Sequence, residues 1–303
     1  RLAGGDHALA DGIALQEGDR IGDHARIVGD AVMAQAGGAE QARLRPVARV
    51  AFAFGPGHVA VFEVVHHQPR ACDARCGGVG LQVGHRLRGH RLVVVEDAPR
   101  QVLGEDMQVL TDVLHDGVNL AVWQRRLPAQ IADFAEALLA QGEPLAQSIT
   151  LELPRVDSEP NLTGLVAQYA DLPGQAAFLA DVAWLVRAYA CLLDAQRIGL
   201  RLRALDKAMC PRFHVDHVPV RLITSYAGVG SDWLEEGAMP RSKLGQPDEE
   251  PQDEALIQHL DAGHVALAKG EKWQGNEGRG LIHRSPQPPA GQRRLLLTLD
   301  WLA

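Results

Sequence analysis

The segment Phe213-His214-Val215-Asp216-His217 places a histidine and an aspartate two residues apart. On a β-strand, residues i and i+2 project from one face, so His214 and Asp216 can chelate a single ion. A second histidine, His283, arrives 67 residues after Asp216 in Leu281-Ile282-His283. Two imidazoles and one carboxylate on a common face leave three coordination positions open. That is the ligand set of non-haem Fe(II) centres, with zinc as the alternative metal for such donors. Arg293 and Arg294 stand ten and eleven residues beyond His283, at the start of a final strand. A guanidinium there can hold a dicarboxylate co-substrate in two-point contact. The two arginines face opposite ways on a strand, so only one can serve. Arg294 shares its face with Leu296, Thr298 and Asp300, and Arg293 shares its face with Leu295, Leu297 and Leu299. The more polar face favours Arg294, with Arg293 in reserve.

Nearby residues take plainer roles. His217 should point away from Asp216, and His264 is a strand histidine, a ligand only in reserve. Cys210 reads as a small buried residue rather than a nucleophile. Trp273 and Tyr226 read as core, with pocket lining as the alternative.

The elements that must position these groups follow from hydrophobic period. Glu105–His115 reads as a short helix and Val118–Trp123 as a strand. Pro128 opens a helix with Ile131, Phe134 and Leu138 on one face. Ser148–Leu153 reads as another strand. Phe178, Val182, Leu185, Tyr189 and Leu192 recur at helical spacing along a long core helix, in which Asp181 and Arg187 interrupt the apolar run and argue against a membrane span. The period then switches to two over Ile198–Leu205, Val220–Tyr226, His264–Lys269, Leu281–His283 and Arg293–Trp301. A helical lead-in followed by short strands predicts an α+β chain whose β part is a sandwich or jelly roll. Gln246–Glu254 (QPDEEPQDE) reads as a solvated loop inserted in that sheet.

Residues 1–95 differ in texture from residues 96–303, whose metal-bearing core spans 198–303. The first hundred positions contain no Ser, Thr, Asn, Lys, Tyr or Trp, yet hold seven of the 13 histidines and 15 of the 31 glycines. Ser, Thr and Asn normally supply helix caps and turns, and Tyr and Trp anchor cores, so the stretch reads as a low-complexity extension, either poorly ordered or a spurious product of an early start. One hairpin is legible there, Val47–Phe54 with Val59–Val65 around Gly55-Pro56-Gly57. Cys72, Cys76, His85 and His90 resemble a two-Cys, two-His zinc pattern, but the gap between its halves is short for that purpose.

The net charge of −8 and the absence of a basic run argue against nucleic-acid binding. Four cysteines do not make a disulfide framework, and a reduced, cytoplasmic protein is expected.

The order His-x-Asp, distal His, then Arg about ten residues on resembles the Fe(II)/2-oxoglutarate-dependent dioxygenases. Their fold, a double-stranded β-helix, is a form of jelly roll. That resemblance implies metal at His214, Asp216 and His283 and 2-oxoglutarate at Arg294 or Arg293. Neither arginine is followed two residues later by Ser, which leaves the mode of co-substrate binding open. Over residues 100–303 the chain further resembles an uncharacterised bacterial domain-of-unknown-function family. Val118-Asn119-Leu120-Ala121-Val122-Trp123-Gln124-Arg125, Cys210-Pro211-Arg212-Phe213-His214-Val215-Asp216 and Arg294-Leu295-Leu296-Leu297-Thr298-Leu299-Asp300 carry this second likeness. Genes of that family lie beside zinc-homeostasis GTPases, which implies an alternative role as a non-catalytic metal-binding protein. A jelly roll that binds a small molecule without metal is the third reading.

Overall fold

The computed structural model describes residues 98–302 and the backbone of two strands before them, β1 (Val47–Phe54) and β2 (His58–Val65). β1 and β2 pair antiparallel, from Val47 opposite Val65 to Phe54 opposite His58. They belong to a unit separate from the rest of the chain. The cysteine–histidine pattern at 72–90 lies outside the described residues.

From residue 98 onward the elements are β3 (Arg100–Gly104), β4 (Val118–Trp123), α1 (Ala129–Ala140), β5 (Leu145–Glu152), α2 (Gln175–Leu193), β6 (Arg197–Leu205), β7 (Val220–Ala227), β8 (Asp232–Leu234), β9 (Ile257–His259), β10 (Val265–Lys269), β11 (Ile282–Arg284) and β12 (Arg294–Trp301). The chain is α+β. A seven-stranded sheet in the order β3-β4-β10-β7-β12-β6-β5 is joined by a three-stranded sheet in the order β11-β8-β9. Only the β3–β4 pairing is parallel within these sheets.

Each face of the large sheet has its own cover, because alternate side chains point opposite ways. On one face Leu120, Val122, Ile223, Ala266, Ala268 and Leu296 form a core with Trp233 of the small sheet, Leu260 and Leu281. On the other, Phe134 of α1 and Phe178 of α2 lie 5.1 Å apart, and Phe178 lies 4.6 Å from the Tyr226 ring of β7. Tyr226 is therefore core on the helix side, not pocket lining. Its hydroxyl donates to Asp181 Oδ2 at 2.6 Å, and the Arg125 guanidinium holds both Asp181 oxygens at 2.6 and 2.9 Å. By length and mean hydropathy (1.6) α2 could cross a membrane, but ten of its residues are buried in this core. The charges that interrupt it, Asp181 and Arg187, serve as tethers, Arg187 to Glu159 at 2.6 Å.

Three expectations change. The segment expected as a helix over 105–115 is 3-10 over Met107–Leu114, capped by Asp106. Residues 213–217 form no regular strand; His214 makes one isolated bridge, and Pro211 and Pro219, which lack N–H donors, bracket the stretch. The 246–254 loop is anchored through Glu250, which accepts from the Phe213 N–H at 3.1 Å and from Arg284 at 3.0 Å.

Candidate metal centre

His214 and His283 exchange two backbone hydrogen bonds, each 3.0 Å, and this bridge sets their rings 4.6 Å apart. Each ring turns its Nδ1 to the carbonyl two residues earlier, His214 to Arg212 at 2.8 Å and His283 to Leu281 at 3.1 Å. A carbonyl only accepts, so each Nδ1 carries a proton; on a neutral ring Nε2 then keeps its lone pair, while a protonated His283 donates from Nε2 to Asp216. Both Nε2 atoms face Asp216, at 3.8 Å for His214 and 3.3 Å for His283. One ligand atom from each of the three residues lies within 4.8 Å of the others. Two donors bound about 2.1 Å from one ion at right angles are about 3 Å apart, so the three ligand atoms must draw together to share an ion.

The electrostatics favour the ligating forms. Burial lowers the His214 pKa, and the His283 ring adds to the effect. For Asp216 burial acts in the opposite sense, but the hydrogen bond and charge of His283, with Arg221 and His214, hold its pKa at about 2. Asp216 is thus a carboxylate and His214 a neutral imidazole at neutral pH.

Behind Asp216 stands a chain of charges that the sequence did not reveal. Arg221 Nη1 donates to Asp216 Oδ2 at 2.7 Å, and its Nε donates to Asp300 Oδ1 at 2.6 Å. Arg201 meets the other Asp300 oxygen at 2.6 Å. Asp300 lies opposite Arg221 across the β7–β12 pairing, so sheet register delivers the guanidinium to its place. Gly270 lets the β10 exit approach: a Cβ there would overlap the carbonyls of Val218 and Asp216.

The two arginines part company as their faces require. Arg293 turns to the helices and donates to the carbonyls of Leu139 and Glu143. Arg294 is fully buried, and its guanidinium donates to Ser285 at 3.3 Å, Ser225 at 3.0 Å and Ser231 at 3.1 Å. These three hydroxyls stand where no Arg-x-Ser serine exists, and each retains a hydrogen of its own to donate. Among the described residues no carboxylate pairs with Arg294, and its Nε has no hydrogen-bond partner. Burial lowers its pKa to about 10, against the opposing effect of Asp232, so it is charged at neutral pH. Asp232 itself is committed to His259 at 2.8 Å and Arg284 at 2.9 Å.

The remaining candidates fall away from this centre. His217 is exposed, and His264 pairs with Asp261 at 3.7 Å. Cys210 is exposed rather than buried, in the loop that leads to His214. Trp273 covers Lys269, whose Nζ lies 4.7 Å from the ring centroid.

Solved structures similar to this chain include a Pseudomonas putida prolyl-4-hydroxylase, 13% identical over 64% of this chain and 97% of that one, with a TM-score of 0.36. The Arabidopsis thaliana dioxygenase for auxin oxidation 1, solved with 2-oxoglutarate, is 9% identical over 68% and 92%, with a TM-score of 0.38. HygX from Streptomyces hygroscopicus, solved with nickel and 2-oxoglutarate, is 11% identical over 64% and 85%, with a TM-score of 0.33. Likenesses this distant carry nothing about activity, which must be read from the chain's own side chains. No curated protein matches the chain. Residues 104–300 match the model of a family described as "Protein of unknown function (DUF1826)", and this chain belongs to that family.

Proposed function

We propose that this protein is a non-haem Fe(II)- and 2-oxoglutarate-dependent oxygenase, its two sheets forming a double-stranded β-helix. The observation that carries the reading is Arg294, a buried cation without a carboxylate, set on the serine two residues beyond the metal-facing His283. A buried guanidinium left uncompensated destabilises the fold, so its retention points to an anion supplied from outside.

The residues fit the group they would hold. His214 and His283 would bind Fe(II) through Nε2 and Asp216 through one oxygen. When bound, Fe(II) and the keto acid would together activate dioxygen, the oxidant, as the keto acid is converted to succinate and CO2. The chain's own contribution is placement. Arg212 and Leu281 carbonyls fix the imidazole tautomers, and Arg221 occupies an oxygen of Asp216. Arg294 and its three serines would receive the far carboxylate of 2-oxoglutarate. Ile223, Leu281 and Leu296 supply apolar walls that keep water away. The primary substrate is left open, and neither nucleic acid nor membrane enters this reading.

A non-catalytic zinc-linked metal-binding protein would use the same three ligands but has no need of Arg294. Anaerobic titration of 2-oxoglutarate into the Fe(II)-loaded protein separates the two. Saturable binding, with oxygen-dependent succinate release, is expected; metal binding without 2-oxoglutarate binding overturns the oxygenase reading.

A further inference from the structure

Among the described residues, two buried donors at the face of the small sheet that carries His283 have no partner, Arg294 Nε and the indole Nε1 of Trp233. The strand register relates them. β8 and β11 pair antiparallel with Trp233 directly opposite His283 and Asp232 opposite Arg284. Continued by one residue, that register sets Ser231 opposite Ser285, and both hydroxyls do reach Arg294. Opposed residues share a face, so the inner face of the small sheet carries two rows. One row is Trp233 with His283, and the next is Ser231 with Ser285, bound to Arg294. A molecule that runs from the His283 side to the Arg294 guanidinium therefore starts in the row that contains Trp233.

Among the described residues the Trp233 indole N–H has no hydrogen-bond partner. The residue is 4% exposed, and its core neighbours are Leu120, Val122, Ile223, Leu260, Ala266, Ala268, Leu281 and Leu296. Their side chains accept nothing. A buried donor left unpaired keeps the full cost of its lost hydration, and natural structures rarely carry one without a reason. An aromatic needed only for packing at this position could be Phe.

We propose that Trp233 is a co-substrate-binding residue, its indole N–H donating to an oxygen of the 2-oxo acid held between the metal ligands and Arg294. This rests on the oxygenase reading and adds a donor from a strand that supplies neither metal ligand nor arginine. The complex then holds two kinds of donor, the charged Arg294 cluster and a neutral, directional indole. A neutral donor improves discrimination for an oxygen atom placed at one point, without adding to the positive charge of the site.

The test uses Trp233→Phe, which keeps the ring and removes the donor. Mn(II) replaces Fe(II), and 2-oxoglutarate is titrated calorimetrically into wild type and variant. The expected result is about tenfold weaker 2-oxoglutarate binding in the variant with Mn(II) affinity unchanged. Equal 2-oxoglutarate affinity in the two proteins would mean that a water alone satisfies the indole, and overturns the inference while leaving the oxygenase reading intact. Absence of 2-oxoglutarate binding in wild type removes both. Should Trp233→Phe fail to fold, the wild-type indole N–H spectrum of the five tryptophans decides. The indole resonance nearest the metal, identified by its shift with Co(II), should move downfield when 2-oxoglutarate saturates the Zn(II) form. No movement of that resonance overturns the inference.

Discussion

Arg221 Nη1 lies 2.7 Å from Asp216 Oδ2, the same oxygen that stands 3.3 Å from His283 Nε2. One carboxylate oxygen thus serves both a guanidinium and a metal-facing ring, and the carboxylate cannot rotate freely. Removal of Arg221 has two opposed effects on metal affinity. Loss of a cation would raise it, and loss of orientation would lower it. The charge of Arg221 is already offset by Asp300, which it grips at 2.6 and 3.2 Å, so its field at the metal is weak. Orientation should win. Arg221→Met is expected to lower metal affinity by about tenfold, as partners behind metal ligands commonly do, with partial rescue in Arg221→Lys. Competition against a chromophoric chelator measures it; unchanged affinity would show that Asp216 needs no support.

Arg294 should reveal a conflict between stability and binding. Its burial lowers its pKa to about 10, and no carboxylate among the described residues repays that burial. Arg294→Met replaces a strained cation with an apolar chain of similar length. In the absence of ligand the variant should unfold at the same temperature as wild type or a few degrees higher. Its 2-oxoglutarate affinity should fall by about thirtyfold to hundredfold with metal content intact. A marked loss of thermal stability would mean that the guanidinium supports the fold instead of a ligand.

What was legible in the sequence and what was not have the same origin. Val118–Trp123 is a strand over the span its apolar run predicts, and β6, β7, β10, β11 and β12 each fall within a residue or so of expectation. Several strands declare themselves by alternation or an apolar run, but Arg100–Gly104 does not, and the three-residue Ile282–Arg284 is legible only through Leu281-Ile282 beside His283. Asp232–Leu234 and Ile257–His259, at three residues each, are too short to show a period. His214, Asp216 and His283 could be chosen from the order His-x-Asp, distal His and the spacing to the arginines, although 213–217 form no regular strand. Arg221 escaped notice because an isolated charge in a strand reads as solvent-facing until its partner across the sheet, Asp300, is known. The serines at Arg294 stand 69, 63 and 9 residues from it, and no local pattern relates them.

The family match begins at residue 104. Residues 1–95 contain no Ser, Thr, Asn, Tyr or Trp. A chain that begins near Val93 is therefore expected to be soluble, to unfold cooperatively and to bind metal as the full chain does. Thermal melts of the two, with and without Zn(II), check this. Loss of soluble protein on truncation would show that the first segment completes the fold.

Lys269 gives the fold a signature in alkaline solution. Its ammonium is buried, donates to the His115 carbonyl at 2.9 Å and lies over the Trp273 ring. Burial lowers its pKa to about 8 from 10.5; Asp116 opposes the shift and Arg279 adds to it. Below pH 8 the folded and unfolded chains both carry the proton, and the penalty for burying the charge is present in full. Between 8 and 10.5 the unfolded chain keeps the proton while the folded chain has released it. The unfolded state then binds more protons, so this residue makes stability rise with pH, by at most about 1.4 kcal/mol per unit. Other buried groups act in the opposite direction. Burial raises Cys191 to about 11 and also raises Tyr189 and Tyr226, and each favours unfolding as pH climbs past its ordinary value. The raw stability curve therefore mixes signs, and the difference between wild type and Lys269→Met isolates one of them. Urea unfolding of both proteins at intervals from pH 7 to 10 should show wild type gaining on the variant above pH 8. Parallel curves over that interval would mean that Lys269 remains protonated in the folded protein.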